Sequence, residues 1–503
     1  MKKKRNIKVT DREKIPFPSG AFSVLGAFII IVAIAGILPD SMNLFPSVKG
    51  FIRKLKSSDG ISTYSKLPPD HKKVVSEIDD IEKNLKEEID STENNPVGNK
   101  DPLPKRNLEN IPSGTLKKSV ALDYLEIPCT RGGAGCELWG LDNFFKSLSN
   151  TRKKGKSIIT WYGDSITSND KIISEVRRRF QKHFGDGGPG FMFMKNLWLW
   201  QTHSQMLFKW GRWVSHDILK GKLKHRRYGL GGILVEKIGP GGYTEFYPRS
   251  TYETPFASIS VHYVTNKEGG NFEIKSGDKI LKTVNTRSDT RKDSYVTADG
   301  FSSTNLRVET TGGGIVQIGG VVIESALPGV EVDTISLTGG RFVHFKPMKR
   351  ESLLSNLRWR GTNLVVFQFG LNESDTGIED DYAASVESLL RDVRKSSDSL
   401  SCIVIGPTDK VKKVYGEYQT KKIIHRIIRE QKKAAFRAGC AYFNAWKAMG
   451  GNASIVKWYH STPRLANGDL THISDSGGNL MGSLIYRELL KAYSAYLKER
   501  RTR

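Results

Sequence analysis

The stretch that most constrains the fold is an apolar run that ends abruptly in Gly163-Asp164-Ser165. Residues 158–162 are apolar and β-prone, and such runs favour a strand. A helical pattern follows, in which five apolar residues share one face: Ile172, Ile173, Val176, Phe180 and Phe184. We therefore predict that Ser165 lies in a strand-to-helix turn at the carboxyl edge of a sheet, where open α/β folds bind their ligands.

The chain after residue 330 repeats this strand-then-helix pattern. Helical patterns separate four apolar, strand-like runs: residues 330–337, 363–369, 402–405 and 441–443. Strands that alternate with helices indicate a parallel, doubly wound sheet. We therefore predict one α/β domain formed by residues 118–228 and 331–503.

Residues 229–330 have a different pattern, typical of an inserted β-sandwich. Apolar and polar residues alternate between Phe256 and Tyr263, which is the period of a half-buried strand. Ser276-Gly277-Asp278 separates two short apolar segments and predicts a hairpin. Several short strands joined by turns indicate a sandwich. The pattern is compatible with carbohydrate binding and equally with forming one wall of a cleft.

The N-terminal region has the pattern of a membrane anchor. Residues 1–20 carry seven Lys or Arg residues, whereas residues 21–38 carry no charge. The uncharged run is about the minimum that crosses a bilayer, and the basic residues before it keep that end in the cytoplasm. We predict a cytoplasmic segment 1–20 and a transmembrane helix 21–38. A cleaved signal peptide is the alternative, but no clear small-x-small site closes the run.

Residues 39–117 are polar and charged and predict a linker that is partly helical. Five apolar residues follow helical spacing there: Val74, Ile78, Ile81, Leu85 and Ile89. So short a pattern rarely sustains a coiled coil. We therefore favour a solitary, solvated helix over a self-associating one.

The net charge bounds the partners. The 503-residue chain holds 78 Lys and Arg against 53 Asp and Glu, a formal net charge of +25. This surplus favours contact with acidic lipids, anionic wall polymers or nucleic acid. Because the sequence has no zinc-finger, RNA-binding or basic-zipper motif, we predict no nucleic-acid partner.

The four cysteines leave two interpretations open. Cys129 and Cys136 bracket a tight glycine-rich loop, and Cys402 and Cys440 each begin or precede an apolar run. An exported chain could form two disulfides, whereas the alternative is four buried thiols. The spacings match no zinc site.

An aromatic-rich stretch follows the turn-forming run Gly185–Phe191. It contains five large rings: Trp198, Trp200, Trp210, Trp213 and Tyr228. Aromatic faces can stack on sugar rings, but they can equally well cap a core or seat a neighbouring domain. Both interpretations stay open.

His472 is the candidate base for Ser165. Serine is a poor nucleophile until a base takes its proton and a third group orients that base. Asp469 lies three residues before His472 on one loop, so its carboxylate can bind one ring nitrogen while the other faces Ser165. A tetrahedral intermediate also needs donors for its oxyanion. The candidates are the backbone N–H groups of Ser165 and Gly339 and the side-chain amide of Asn372.

Four blocks in this order resemble the SGNH/GDSL hydrolase superfamily: Gly163-Asp164-Ser165, Gly339, Gly370-Leu371-Asn372 and Asp469-Leu470-Thr471-His472. The resemblance covers residues 120–495. More narrowly, the run Gly185–Phe191 and the β-rich insertion resemble bacterial peptidoglycan O-acetylesterases, which carry a carbohydrate-binding-like β-domain at this place.

The resemblance implies an SGNH/flavodoxin-like sheet and a role for each residue in the four blocks. Ser165 would be the nucleophile, His472 the base and Asp469 its orienting partner, with Gly339 and Asn372 as oxyanion donors beside the Ser165 N–H. No metal or organic cofactor is implied. Two departures matter: Glu373 stands where the family usually has Asp, and Gly340 is an alternative to Gly339 as the donor.

The implied activity is that of a serine esterase that removes O-acetyl groups from a cell-envelope polysaccharide, peptidoglycan in the narrower resemblance. With the predicted anchor, we expect a single-pass protein of the bacterial inner membrane whose catalytic domain lies in the periplasm. An O-acetyltransferase with the same triad and a non-catalytic wall-binding protein are the alternatives. The sequence leaves the substrate-binding residues and the oligomeric state open.

Overall fold

The computed structural model describes residues 68–93, 119–132, 136–151, 153 and 155–502. The predicted segments 1–20 and 21–38 lie outside these residues. Within the described ranges, no helix combines the length and the apolar character that crossing a membrane requires.

The described helices are α1 (His71–Glu93), α2 (Asp142–Thr151), α3 (Lys171–Phe184), α4 (Arg350–Arg360), α5 (Glu373–Thr376), α6 (Tyr382–Lys395), α7 (Lys422–Arg437), α8 (Ala445–Met449), α9 (Ser454–His460) and α10 (Asp475–Thr502). The described strands are β1 (Ser119–Ala121), β2 (Leu125–Arg131), β3 (Leu138–Trp139), β4 (Lys156–Gly163), β5 (Gly190–Met192), β6 (Met206–Gly211), β7 (Val214–Asp217), β8 (Ile233–Ile238), β9 (Tyr243–Pro248), β10 (Phe256–Val264), β11 (Asn271–Ser276), β12 (Lys279–Asn285), β13 (Asp293–Ser303), β14 (Leu306–Thr310), β15 (Ile315–Glu324), β16 (Gly329–Ser336), β17 (Leu364–Gln368), β18 (Ser401–Ile405), β19 (Val411–Val414), β20 (Glu417–Thr420) and β21 (Ala441–Phe443).

The central sheet is mostly parallel, which confirms the predicted α/β class. Its order is β1-β2-β21-β18-β17-β4-β16, with β3 paired to β2. The five strands from β21 to β16 run parallel, whereas β2 joins β21 antiparallel. Numbered by their sequence, the parallel strands lie in the order 2-1-3-4-5. This order reverses between β4 and β17, and such a reversal opens a crevice at the carboxyl edge.

Both faces of this sheet are covered by helices. Trp161 of β4 points into a core that includes side chains of α2, α3 and α10. Tyr162, the next residue, points into a second core with side chains of α4, α6 and α7. Successive strand residues face opposite sides. A strand buried on both faces therefore needs mostly apolar residues in succession, as the sequence has from Ile158 to Tyr162.

Two antiparallel sheets form the inserted β-sandwich, as predicted. One has the order β13-β10-β15-β8-β7, with β5 paired to β15, and the other has the order β12-β11-β14-β9-β6. A third core, which includes Ile259, Phe272 and Val308, lies between them. The strands β5, β6 and β7, which precede residue 229, also pair into these sheets.

The predicted solitary helix is instead docked, so that expectation is wrong. In α1, Val74, Ile78 and Leu85 are buried in the core that includes α10. Tyr486 of α10 donates a hydrogen bond to Glu82 at 2.8 Å. The helical spacing in α1 was evident from sequence, but the matching apolar face lies about 400 residues later in the chain, where no local pattern can reveal it.

Both candidate disulfides are formed, so the interpretation as four free thiols is wrong. Cys129 is bonded to Cys136 and closes the short loop between β2 and β3. Cys402 of β18 is bonded to Cys440, the residue before β21. The second bond therefore joins two neighbouring parallel strands at their amino ends.

We expect Ile78→Ala to lower the free energy of unfolding by about 2–5 kcal/mol, because truncation of a fully buried aliphatic side chain leaves a cavity. The measurement is urea denaturation of the purified protein. Ser76→Ala, an exposed change in the same helix, should stay within about 0.5 kcal/mol of the parent. Equal stability of the two variants would contradict the docking of α1.

Candidate active site

The turn that carries Ser165 depends on a glycine. Strand β4 ends at Gly163, where an added Cβ would lie 2.4 Å from the Thr167 side chain. The Asp164 side chain accepts the Ile166 N–H at 2.9 Å, and its carbonyl accepts the Thr167 hydroxyl at 2.8 Å. These bonds begin a short 3₁₀ helix at Ser165. The serine lies just after the carboxyl end of β4 and is half-buried.

Two hydrogen bonds in series connect Ser165 to His472 and His472 to Asp469. His472 Nε2 lies 2.9 Å from Ser165 Oγ, although the residues are 307 positions apart. His472 Nδ1 lies 2.6 Å from Asp469 Oδ2. When Nδ1 donates to the carboxylate, Nε2 is left to accept the serine proton. The arrangement can therefore activate Ser165 as a nucleophile.

The loop between Asp469 and His472 is folded around the carboxylate. Asp469 Oδ1 accepts the backbone N–H groups of Thr471 at 3.1 Å and His472 at 3.0 Å. Leu470 adopts φ +50°, a left-handed conformation that is uncommon for leucine. Both side-chain oxygens of Asp469 thus bind their own loop, which orients the imidazole.

The pKa of Asp469 lies below its usual value. Partial burial acts to raise it, but hydrogen bonds from the side chain and backbone of His472 and from the Thr471 backbone outweigh burial. The carboxylate is therefore ionised at neutral pH. The side chains of His472 and Asp469 are 38% and 49% exposed, so water and a bulky substrate can reach the site.

Close packing between α10 and α3 brings the His472 loop to Ser165. An added Cβ at Gly478 would lie 2.6 Å from the Lys171 Cβ, and one at Gly482 would lie 2.7 Å from the Ile172 carbonyl. Lys171 also pairs with Asp475 at 3.0 Å. The two glycines therefore let the backbones approach, and the ion pair joins the two segments at the edge of the site.

The predicted oxyanion donors follow the two strands that flank β4. Gly339 comes after β16 and has φ +79°, whereas Asn372 comes after β17. The Gly340 N–H already donates to Leu337 at 2.6 Å, so Gly339 is the better candidate of the two glycines. Asn372 Nδ2 donates to the Gly340 carbonyl at 3.0 Å, which leaves its second N–H for a ligand.

Glu373, the departure from the family pattern, is buried below the site. Its Oε1 accepts the Phe342 N–H at 3.1 Å, and its Oε2 has no hydrogen-bond partner among the residues that the structure describes. Burial raises the pKa of this carboxyl. The longer side chain thus supports the turn after Gly340 and does not bind Asn372 itself.

Asp164 is a second buried carboxyl beside Ser165. Burial raises its pKa to about 7, and the nearby charge of Glu373 adds to this effect, although the Ile166 N–H opposes it. In the sequence Asp164 is recognisable only as part of the Gly-Asp-Ser motif. Its burial and its raised pKa cannot be inferred from that triplet.

Sequence analysis missed a group of polar residues around the Ser165 turn. Ser168 Oγ lies 2.7 Å from Ser336 Oγ and 3.2 Å from Thr338 Oγ1. Thr338 also accepts the indole N–H of Trp200 at 3.0 Å. Asn169 adopts a left-handed backbone conformation, with φ +60°. Because Asn tolerates this conformation, its residue type was the one feature of the sequence that could have indicated the kink here.

The aromatic stretch divides between the two interpretations. Trp213 and Tyr228 are buried, with 4% and 0% exposure, whereas Trp200 and Trp210 are 45% and 37% exposed. Trp198 packs partly against the core on the α4 side of the central sheet. Three of these five rings therefore pack against hydrophobic cores. The other two, Trp200 and Trp210, are accessible to a ligand.

These features define an α/β fold with an inserted β-sandwich, and this fold is similar to that of a solved carbohydrate esterase. The solved structure of a peptidoglycan O-acetylesterase resembles this chain with a TM-score of 0.60 at 20% identity, covering 70% of this chain and 96% of that one. No protein-family model and no curated protein sequence matches the chain.

Other solved carbohydrate esterases show weaker likeness. A family two carbohydrate esterase from Clostridium thermocellum in complex with cellohexaose has a TM-score of 0.21 at 12% identity, covering 54% of this chain and 96% of that one. An acetyl xylan esterase has a TM-score of 0.24 at 12% identity, covering 31% and 79%.

Asp164→Asn is expected to weaken the pH dependence of stability. Because the pKa of Asp164 is raised from 3.8 to about 7 on folding, its contribution to stability is present at low pH and is lost as pH rises through this interval. The variant should therefore lose less free energy of unfolding than the parent between about pH 4 and about pH 8.

Urea denaturation across this pH range makes the measurement. Exposed Asp398→Asn is the control and should keep the pH dependence of the parent. If Asp164→Asn and the parent changed equally with pH, the assigned burial effect would be wrong.

Proposed function

We propose that this chain is a serine esterase that removes O-acetyl groups from a cell-envelope polysaccharide, with peptidoglycan as the favoured substrate. The supporting observation is the hydrogen-bonded series Ser165–His472–Asp469. It lies at the carboxyl edge of the sheet, beside the reversal of strand order, where open α/β folds bind ligands.

The proposed reaction begins when Ser165 Oγ attacks the acetyl carbonyl carbon. His472 Nε2 takes the serine proton, and the carbonyl oxygen becomes an oxyanion that accepts hydrogen bonds from the Ser165 and Gly339 N–H groups and from Asn372. Collapse of this intermediate breaks the bond to the sugar oxygen, which leaves as an alcohol after His472 returns the proton.

The second half of the reaction repeats these steps with water. His472 takes a proton from water, which attacks the acetyl-Ser165 ester, and the intermediate releases acetate and restores the serine hydroxyl. Asp469 stabilises the imidazolium in both halves. Its lowered pKa keeps it negatively charged for this role at neutral pH.

Three observations support an acetylated envelope glycan as substrate. The solved structure with a TM-score of 0.60 is a peptidoglycan O-acetylesterase. The net charge of +25 suits an anionic wall. The two disulfides suit an oxidising compartment, in agreement with the proposed anchor at residues 21–38 and a periplasmic catalytic domain.

Ser165→Ala should abolish acetate release from O-acetylated peptidoglycan, because the attacking oxygen is removed, while the thermal unfolding midpoint stays near that of the parent. Acetate is quantified after incubation with O-acetylated peptidoglycan, acetylated xylan and 4-nitrophenyl acetate. The exposed change Ser399→Ala serves as a control with full activity.

The parent should act fastest on peptidoglycan. Acetate release that requires an added sugar acceptor would favour a transferase, and glycan binding without any ester cleavage would favour a wall-binding protein. Either result would contradict the proposed esterase.

Asn372→Ala should lower kcat by about 10²–10³, the effect of losing one oxyanion donor, with a smaller change in KM. Steady-state kinetics with 4-nitrophenyl acetate makes the measurement. Asn444 is a matched control because it also follows a parallel strand of the sheet, but it caps α8 by accepting the Lys447 N–H. A kcat for Asn372→Ala as high as that of Asn444→Ala would exclude the oxyanion role.

A further inference from the structure

The Trp200 loop, which we define as residues 197–205, is tightly anchored beside the active site. Gln201 Nε2 donates to the Ser336 carbonyl at 3.2 Å. The Ser204 N–H donates to Asp170 Oδ2 at 2.8 Å. Both partners are buried, and both lie in segments that adjoin the Ser165 turn. The loop therefore holds a defined position relative to the nucleophile.

A buried ion pair lies beneath this loop. Arg177 Nη1 lies 2.5 Å from Asp170 Oδ2, and Arg177 also donates to Thr334 at 2.6 Å. Burial acts to raise the pKa of Asp170, but Arg177 outweighs it and lowers that pKa to about 2. The Asp170 carboxylate, which binds the loop, is therefore ionised at neutral pH. Its negative charge strengthens the hydrogen bond from the Ser204 N–H.

Trp200 is fixed at the rim of the site but remains accessible. Its indole N–H donates to Thr338 at 3.0 Å, and its carbonyl accepts the Asn169 N–H at 2.7 Å. Asn169 lies four residues after Ser165, at a kink in the turn that Ser165 begins, and Thr338 immediately precedes Gly339. The residue is nevertheless 45% exposed. A large ring that is held by its edge beside a reactive centre and left open to solvent is suited to stack on a ligand.

A polar cavity of about 490 Å³ borders the same loop. Six residues line it: Asn169, Lys171, Ser174, Thr202, Asp475 and Asn479. Because the Lys171 amine is paired with Asp475 at 3.0 Å, the walls present amides, hydroxyls and a neutralised ion pair. Such walls suit a ligand rich in hydroxyl and amide groups, and the volume is typical of a ligand site.

We propose that Trp200 and this cavity form a glycan-binding site in which Trp200 stacks on one sugar ring and the cavity binds hydroxyl and acetamido groups of the adjoining sugar. This inference rests on the proposed esterase function. It assigns Trp200 as a specificity-determining residue, and it requires a substrate of at least two sugars. The site therefore selects acetylated glycan strands over small acetate esters.

The test compares kcat/KM for soluble O-acetylated peptidoglycan strands with kcat/KM for 4-nitrophenyl acetate. In Trp200→Ala the ratio of the two should fall by about tenfold or more, as expected when a central aromatic contact is removed. Trp200→Phe keeps an aromatic face but lacks the N–H that binds Thr338, so its ratio should stay within about threefold of the parent.

Two controls make the result specific. Trp210 is exposed to a similar degree but lies on β6 of the sandwich, and Trp210→Ala should keep the parent ratio. Asn479 lines the cavity from α10, and Asn479→Ala should also lower the ratio. Unfolding midpoints establish that all variants are folded.

The outcomes separate this inference from the proposed function. A parent that cleaves neither substrate would refute the esterase proposal itself. A parent that cleaves both, with an unchanged ratio in Trp200→Ala, would refute the glycan-binding site alone. If the ratio of the two kcat/KM values fell as far in Trp200→Phe as in Trp200→Ala, the role of Trp200 would be only to bind Thr338. The proposed stacking on a sugar ring would then be wrong.

Discussion

The arrangement of the site depends on how closely α10 approaches α3. Gly478 and Gly482 lie where any side chain would collide with the Lys171 and Ile172 segment of α3. Glu175 of α3 also accepts the Ser483 hydroxyl at 3.0 Å. Because α3 begins directly after the Ser165 turn and α10 begins directly after His472, this single helix contact sets the distance between hydroxyl and imidazole.

The order of the parallel strands supplies the rest of the site. Ser165, Gly339 and Asn372 follow β4, β16 and β17, and β4 lies between the other two strands. Parallel strands deliver their carboxyl ends to one edge, so three distant blocks meet beside one another. Their catalytic roles stay predictions, whereas their proximity is a property of the sheet.

The surroundings of Ser165 combine buried charge with an open rim. Asp164 and Glu373 are buried carboxyls with raised pKa values, and the Asp170–Arg177 pair anchors the Trp200 loop from below. Burial makes each of these groups dependent on its hydrogen bonds, which rigidifies the turn. The exposed Trp200 and the polar cavity adjoin this turn, and such support would suit the proposed glycan-binding site.

The sequence by itself determined the local elements and the candidate residues. The apolar face from Ile172 to Phe184 and the alternation in β10 rest on periodicity, which is a local property of the chain. The four blocks rest on the resemblance to a known superfamily. Only the tertiary structure decided that α1 docks on α10 and that the Gly340 N–H donates to the Leu337 carbonyl. It also decided that Trp200 is exposed while Trp213 is buried. These outcomes depend on complementary surfaces from segments far apart in sequence, and no local pattern encodes which surfaces will meet.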